Sequence, residues 1–507
     1  MVMGNLERLS DVVKLSAHVT LVLGQNPGMM TLQGTNSYLL QPPSNPHAPL
    51  ILIDTSSPHT AQQYIDLLFT HLHHLGLESG VRETHFESNA AQNSLKILPQ
   101  DKIEEIKASI IKQRFDDPRS QELELVEYGP GSKWISPSSS KNNNERKLPN
   151  IEHIILTHRH LDHVGALPLL LTTLQKHGCI KPKIWKFLSP DETELSISSN
   201  ERDRATTDAS LWNSLPKGTF HSFSPFQPFH PIIPGLMISI IDPQYKHLLK
   251  FDKETNKPKW NQVPEIARVS LRCLKTPGHT QDSISLVMLE GEKGVFTGDT
   301  VLGQGTTIFT DLSSYMTSLR TLLALKPNVL YPAHGPHISG ADKAKSKLED
   351  YISHRQEREN EIVDILKKFS TKNDISLVDE LIDLKKEIHL RLEKENDDKG
   401  PLMLDKRKPI SLPDFEKERE SLEKIENTKK RNQNQLPLTV IIRLLYKSED
   451  EKLSFAASKS VKAHLTKLEK ENKIKKSIIT WCKLIANDVD SDNLEEMDVW
   501  EYIARQI

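Results

Sequence analysis

The side chains best suited to chemistry in this sequence are gathered in four short stretches. The densest is Thr157-His158-Arg159-His160-Leu161-Asp162-His163, which places three imidazoles and one carboxylate within six residues. On a loop of that length the side chains can diverge toward two adjacent metal ions instead of crowding one. Imidazole nitrogen and carboxylate oxygen suit Zn²⁺, and the absence of thiolates points to an open hydrolytic site, not a closed structural one. One short motif is weak evidence, so its partners decide. Thr276-Pro277-Gly278-His279-Thr280 presents His279 on a turn, Phe296-Thr297-Gly298-Asp299 offers a carboxylate able to bridge two ions, and Tyr331-Pro332-Ala333-His334-Gly335 adds a last imidazole. Seven candidate ligands therefore follow one another in order, each near the end of an apolar run.

The remaining histidines have blander readings. His71, His73 and His74 fall on the polar side of a helix, where a solvated face explains them. His153 and His177 stand alone and read as surface or satisfied core residues. His337, three residues after His334, is expected to pack in a turn. Gly303-Gln304-Gly305-Thr306-Thr307 reads equally as a phosphate-cradling turn or as a tight turn shaping a cleft. Cys273, inside an apolar strand, reads as core.

The elements that position these residues follow from periodicity. Strands are expected at Val19–Leu23, Asn36–Leu40, Leu50–Ile53, Ile151–Leu156, Arg268–Leu274, Ser283–Leu289 and Gly294–Phe296. Residues 60–75 have helical spacing, with Tyr64, Leu67, Leu68 and Leu72 on one face, and a further helix is expected over 342–369. The pattern fails from Glu78 to about Pro149, where a polar tract at 136–144 marks an insertion. A second irregular stretch covers 243–263. Residues 370–433, rich in Lys, Glu and Asp, read as a solvated helical or disordered connector. Beyond it, Leu438–Tyr446, a small helix at Phe455-Ala456-Ala457, and a third with Val461, Leu465 and Leu468 on one face form a winged-helix or helix-turn-helix module. Lys459, Lys462, Lys467, Lys470, Lys473, Lys475 and Lys476 make that module basic.

Length and composition set the frame. The chain has 507 residues, which suggests two to four units, and a net charge of −2, which argues neither for nor against nucleic acid. Three scattered cysteines, Cys179, Cys273 and Cys482, fit a reducing compartment. No apolar run approaches the ~20 residues of a membrane span, so no membrane partner is expected. Residues 1–15 lack a secretory core. The expected location is the mitochondrial matrix or the cytoplasm, not the exterior.

Taken together, Asp54, His158-x-His160-x-Asp162-His163, His279, Asp299 and His334 resemble the metallo-β-lactamase superfamily. More narrowly, residues 26–39 (NPGMMTLQGTNSYL), 298–309 (GDTVLGQGTTIF), Tyr351-Ile352-Ser353-His354-Arg355 and Leu465-x-x-Leu468-Glu469-Lys470-Glu471 resemble the lactamase-beta-like protein 2 group of endoribonucleases, glyoxalase II-like in its ligands. The resemblance covers most of residues 5–365 apart from the insertions, and resumes at 438–476. It implies an α/β fold, the αββα metallo-β-lactamase sandwich, with a C-terminal winged-helix-like helical module. The implied domains are a catalytic domain at 1–365 (insertions about 80–149 and 243–263), a charged connector at 366–433 and the winged-helix-like domain at 434–507.

The same resemblance assigns two Zn²⁺ ions. His158, His160 and His279 go to one, Asp162, His163 and His334 to the other, and Asp299 bridges. Asp162, Asp299 and Asp54 are its catalytic carboxylates, Asp162 also orienting the nucleophile and Asp54 holding the histidine loop through hydrogen bonds. It implies a zinc-dependent hydrolase whose metal-bridged hydroxide cleaves single-stranded RNA. The rival is a thioesterase acting on acyl-carrier or small thiol esters, because one fold hosts many reactions. The basic terminal module favours the nuclease. An RNA-binding protein with a vestigial site is disfavoured, since no ligand position has been replaced.

Overall fold

The computed structural model describes residues 9–77, 148–188, 205–254, 258–371, 377–397, 435–448, 451–482 and 494–503. The expected insertion near 80–149 lies outside these residues apart from 148 and 149. The chain divides into two compact units, Met1–Thr307 with Thr317–Leu348, and Ile308–Met316 with Glu349–Ile507.

The first unit holds two sheets. Strands β1 (Val12–Lys14), β2 (Val19–Leu23), β3 (Asn36–Leu40), β4 (Leu50–Ile53), β5 (Ile151–Leu156), β6 (Lys183–Lys186) and β7 (His230–Pro231) make a seven-stranded sheet in sequential order. Strands β8 (Met237–Ile241), β9 (Arg268–Lys275), β10 (Ile284–Met288), β11 (Gly294–Gly298), β12 (Val329–Pro332) and β13 (Ile338–Ser339) make a six-stranded sheet in the order β13-β12-β11-β10-β9-β8. Both are mixed: β4, β5, β6 and β7 run parallel, as do β11 and β12, and the other neighbours are antiparallel.

The alternation of strand side chains explains the layering. Leu50, Leu52, Ile154 and Leu156 pack with Tyr64, Leu68 and Leu72 of helix α1 (Ala61–Leu77), together with Leu167, Leu170, Leu171 and Leu174 from farther along the chain. Ile51, Ile53 and Ile155 point the other way and meet Leu271, Cys273, Leu286 and Phe296 of the second sheet. Strands covered on both faces read as continuous apolar runs, which is why Leu50–Ile53 and Ile154–Leu156 show no polar alternation. Cys273 is core, as expected.

After β5 come the one-turn helix α2 (Leu161–Val164), α3 (Leu167–Lys176) and α4 (Asp208–Ser214). Residues 243–263 form 3-10 turns at Pro243–Leu248 and Trp260–Gln262. His71 differs from its expected solvated position: it is 5 % exposed on α1, between the buried Leu68 and Leu72. The apolar stripe of α1 is wider than the leucine spacing indicates.

Helices α5 (Leu312–Ala324) and α6 (Ala341–Thr371) each pass from one unit's residues to the other's. Within the second unit, the Arg355 guanidinium lies over the rings of Phe309, Tyr315 and Tyr351, which explains why Ile308–Met316 groups there. Helix α7 (Leu377–Asp397) departs from the expected solvated connector, because Leu381, Leu384 and Ile388 recur at helical spacing and are buried. The C-terminal module contains α8 (Leu438–Tyr446), α9 (Glu451–Lys470), the short strand β14 (Leu436–Pro437) and a hairpin of β15 (Ile474–Cys482) with β16 (Leu494–Tyr502), in sheet order β14-β16-β15. The two short helices expected after Tyr446 are one helix. Ala457, Val461, Leu465 and Leu468 form a single buried stripe along it, and the weak helix preference of Ser454, Ser458 and Ser460 does not break it.

Candidate metal centre

Every limb of the site leaves the C-terminal end of a strand or a strand-to-strand turn of the first unit. Asp54 follows directly on β4, Thr157-His158 on β5 and Asp299 on β11, His334 lies two residues past β12, and the β9–β10 turn carries His279. Crevices at such strand ends are where open α/β sheets bind ligands. Locally, the backbone is shaped for delivery. Gly298 sits at φ 51° where the β11–β12 register shifts, and a Cβ there would come within 3.2 Å of Thr157. Asn36 holds the β12 loop by donating its side-chain amide to the carbonyls of Pro332 and Gly335, at 2.8 and 2.7 Å.

The side chains converge as two groups that could hold metal ions, one of His158, His160, His279 and Asp299, the other of Asp162, His163 and His334. In the first, His160 Nδ1 lies 2.9 Å from both His158 Nε2 and His279 Nε2. Asp299 Oδ2 is 3.3 Å from His279 Nε2 and 3.8 Å from His158 Nε2. In the second, Asp162 Oδ2 lies 3.3 Å from His163 Nε2 and 3.2 Å from His334 Nε2. Asp299 Oδ1 is 3.5 and 3.3 Å from the same two nitrogens. One carboxylate therefore turns one oxygen to each group. All seven sequence-derived ligands come together.

Hydrogen bonds on the far side of the rings set their tautomers. Asp54, 1 % exposed, accepts from Thr157 N and Thr157 Oγ1, both at 2.7 Å, and from His163 Nδ1 at 2.9 Å. Because the Thr157 hydroxyl donates to a carboxylate, it accepts from His158 Nδ1, 3.0 Å away. His334 Nδ1 donates to the Gly34 carbonyl at 3.3 Å. Each of these three rings spends its proton outward and turns a lone pair of Nε2 inward, the condition for binding a cation. His163 Nε2 and Asp299 Oδ1 are buried atoms with no hydrogen-bond partner. A donor set of five imidazoles and two carboxylates, with two inward atoms left over, fits a pair of divalent ions.

Gathering these groups shifts their ionisation. Burial, reinforced by the neighbouring His163 and His160, pushes His158 well below its usual pKa, and burial beside His279 takes His160 to about 3. For Asp162 and Asp299 burial works in the opposite sense, yet the charges of the facing His163 and His334 hold both carboxyls well below the usual range. Burial likewise opposes protonation of His334, but Asp299 and Asp162 raise it to about 10.

Other sequence expectations find their places. His153, 5 % exposed, accepts from Trp185 Nε1 at 3.0 Å and is a satisfied core histidine. His337 stacks on Tyr331. Gly303 packs where a Cβ would strike Pro336, so its turn shapes the backbone beside His334. Sequence reasoning included Thr157 in the motif but gave it no role, and its hydroxyl links Asp54 to His158. The same reasoning missed a buried ion pair between Lys186 and Asp282, 2.6 Å apart. Only the position of Thr157 between strand and histidine offered a signal.

Residues 125–249 and 261–334 match the family model of the metallo-beta-lactamase superfamily, and residues 439–481 match the beta-lactamase associated winged helix domain. This chain thus carries a metallo-β-lactamase superfamily domain followed by a winged-helix domain. It is similar to the beta-lactamase-like protein 2 homolog of Caenorhabditis elegans, 27 % identical over 371 residues that span 72 % of this chain and 77 % of that protein. The corresponding Drosophila melanogaster homolog is 26 % identical over 69 % of this chain and 75 % of its own length. Lactamase-like protein nscB of Trichophyton rubrum is 37 % identical over 43 % of this chain and 60 % of its own.

Proposed function

We propose that this chain is a zinc-dependent hydrolase that cleaves single-stranded RNA. The observation that carries the reading is Asp299, whose two oxygens face two separate histidine groups, the layout of a two-ion site for in-line displacement. Ions bound there would polarise the scissile oxygen and lower the pKa of a bound water from 15.7 to about 7. The chain's own residues do the positioning. Asp54 and Thr157 orient His163 and His158, and the Gly34 carbonyl orients His334. Asp162, with 21 % of its side chain exposed against 10 % for Asp299, is the carboxylate that reaches an incoming water and can orient it.

The choice of RNA is supported by the winged-helix domain and by the resemblance of residues 26–39 and 298–309 to endoribonucleases. The structure sorts the seven lysines of that domain. Lys467 and Lys473 bond Glu359 and Glu471, Lys475 pairs with Glu501, and Lys476 with Asp498. Lys459, Lys462 and Lys470 are exposed on α9 and make no ion pair among the described residues, so phosphate contact falls to them.

That sorting also gives a second reading its footing. With four lysines neutralised, the cationic face is small, and Met29 and Met30, 79 % and 41 % exposed on the loop leading to Gly34, suit the acyl chain of a thioester. Purified protein incubated with labelled single-stranded RNA and, in parallel, an acyl thioester separates the two. RNA cleavage abolished by chelator and by Asp162→Asn/His163→Ala supports the nuclease. Intact RNA beside a hydrolysed thioester replaces it with the thioesterase.

A further inference from the structure

Lys186 is a buried cation that the reaction outlined above does not use. Only 1 % of its side chain is exposed, and its ammonium lies 2.6 Å from Asp282 Oδ2 and 2.8 Å from Asp208 Oδ1. It also donates to the Phe187 carbonyl at 3.3 Å. Burial disfavours its charge, but the two carboxylates outweigh burial and keep it protonated. A buried ion of this kind is costly to retain unless both partners hold it. What it joins is therefore informative.

Each contact of Lys186 leads to a different limb of the three-histidine group. Its own place, the end of β6, is opposite Leu156 of β5, two residues before His158. Asp208 opens helix α4, which Thr207 caps by accepting from Ser210 N at 3.0 Å. The two residues just ahead of that cap grip the histidine loop: Ala205 bridges His160, and Thr206 N donates to the Arg159 carbonyl at 3.2 Å. Asp282 closes the β9–β10 turn, just ahead of β10. On that turn Thr280 N donates to Ser283 Oγ at 3.2 Å, and the two hydroxyls lie 2.7 Å apart. His279 is the next residue back on that turn. One ammonium thus ties the segment clamping His160, from the first sheet, to the turn carrying His279, from the second.

We propose that Lys186 is a positioning residue for the first metal group, setting the approach of His160 to His279 through Asp208 and Asp282. The proposal rests on the metal-site reading above. The second group is held by other means, His163 by Asp54 and His334 by Gly34. Loss of Lys186 therefore weakens one ion and spares the other.

The test is stepwise zinc binding by full-length, metal-stripped protein against a chromophoric chelator, with His163→Ala used to assign which constant belongs to which group. The variant is Lys186→Met/Asp282→Asn, which removes both buried charges together and keeps the side-chain shape of Asp282. The expected result is a 10–100-fold weaker constant at the three-histidine group, the range seen when an outer partner of a ligand is lost. The other constant stays at its wild-type value, and the circular dichroism spectrum is unchanged. Two unaltered constants, or two constants that fall together, overturn the proposal. Should the double variant not fold, Asp208→Asn is read instead: it cuts only the His160 arm and must weaken the same constant several-fold, and no change there overturns the proposal equally. Wild-type protein that binds no zinc would defeat the metal-site reading itself, an outcome distinct from either.

Discussion

Replacing Asp54 by asparagine gives a sharp test of how the second metal group is built. Asparagine keeps the shape of the side chain and tolerates the left-handed φ of 57° found there. Asp54 accepts three hydrogen bonds in a site 1 % exposed, Thr157 N on one oxygen and Thr157 Oγ1 with His163 Nδ1 on the other. An amide cannot serve all three. With its oxygen toward Thr157 Oγ1 and His163, its NH₂ confronts the Thr157 N–H, and a buried donor loses its acceptor at a cost of about 1–3 kcal/mol. With the amide turned over, His163 must accept at Nδ1 and carry its proton on Nε2, the nitrogen that faces Asp162 and Asp299. The first arrangement weakens the fold; the second removes a lone pair from the site. Urea unfolding of chelator-treated protein should therefore show a loss of ~1–3 kcal/mol. Zinc competition should show one constant weakened by ~10–100-fold. An Asp54→Asn protein with wild-type midpoint and wild-type zinc constants would refute the argument that this carboxylate fixes the tautomer of His163.

Asp299→Ala should weaken both zinc constants, since each oxygen faces one group, and metal analysis after gel filtration checks it. Gly298→Ala should destabilise by about 1–2 kcal/mol in thermal unfolding, because φ 51° disfavours a Cβ and that atom would lie 3.2 Å from Thr157. Glu359→Gln should lower the stability of the second unit by about 1.5–3 kcal/mol, because the buried Glu359, 4 % exposed, gives up a charge-assisted bond to Lys467 at 2.6 Å while Glu471 still holds that ammonium. Asp282 is a carboxyl whose pKa is lowered because Lys186, 2.6 Å away, outweighs burial. Its stabilisation is present above the ordinary carboxylate pKa and lost as the pH falls below about 4. The acid limb of an unfolding-against-pH curve should accordingly flatten in Lys186→Met/Asp282→Asn.

The ligands were legible in the sequence because each is a polar residue stationed where an apolar run stops. Ile151–Leu156 halting at Thr157-His158 and Gly294–Phe296 halting before Asp299 are local signals that need no knowledge of the fold. The two-sided burial of β4 and β5 was readable from the same runs. Lys186 and Asp282 were not, since they stand 96 residues apart and nothing near either indicates a buried charge. The buried face of helix α7 was hidden by composition. Its charges outnumber its leucines, yet Leu381, Leu384 and Ile388 alone are enough to bury one face. The same arithmetic divided α9 in two, where serine content outweighed the spacing of Ala457, Val461, Leu465 and Leu468.

Helix α1 departs from the ligand-bearing edge just after Asp54 and runs back toward the start of β5, where Ile151 pairs with Leu50. Both ends of the connection between Leu77 and Leu148 are thus moored at the edge of the sheet remote from the metal groups. Lengthening a connection there costs only about 0.6 kcal/mol for each doubling of its length, and no ligand need shift. Chain length and chemistry are separated at this point.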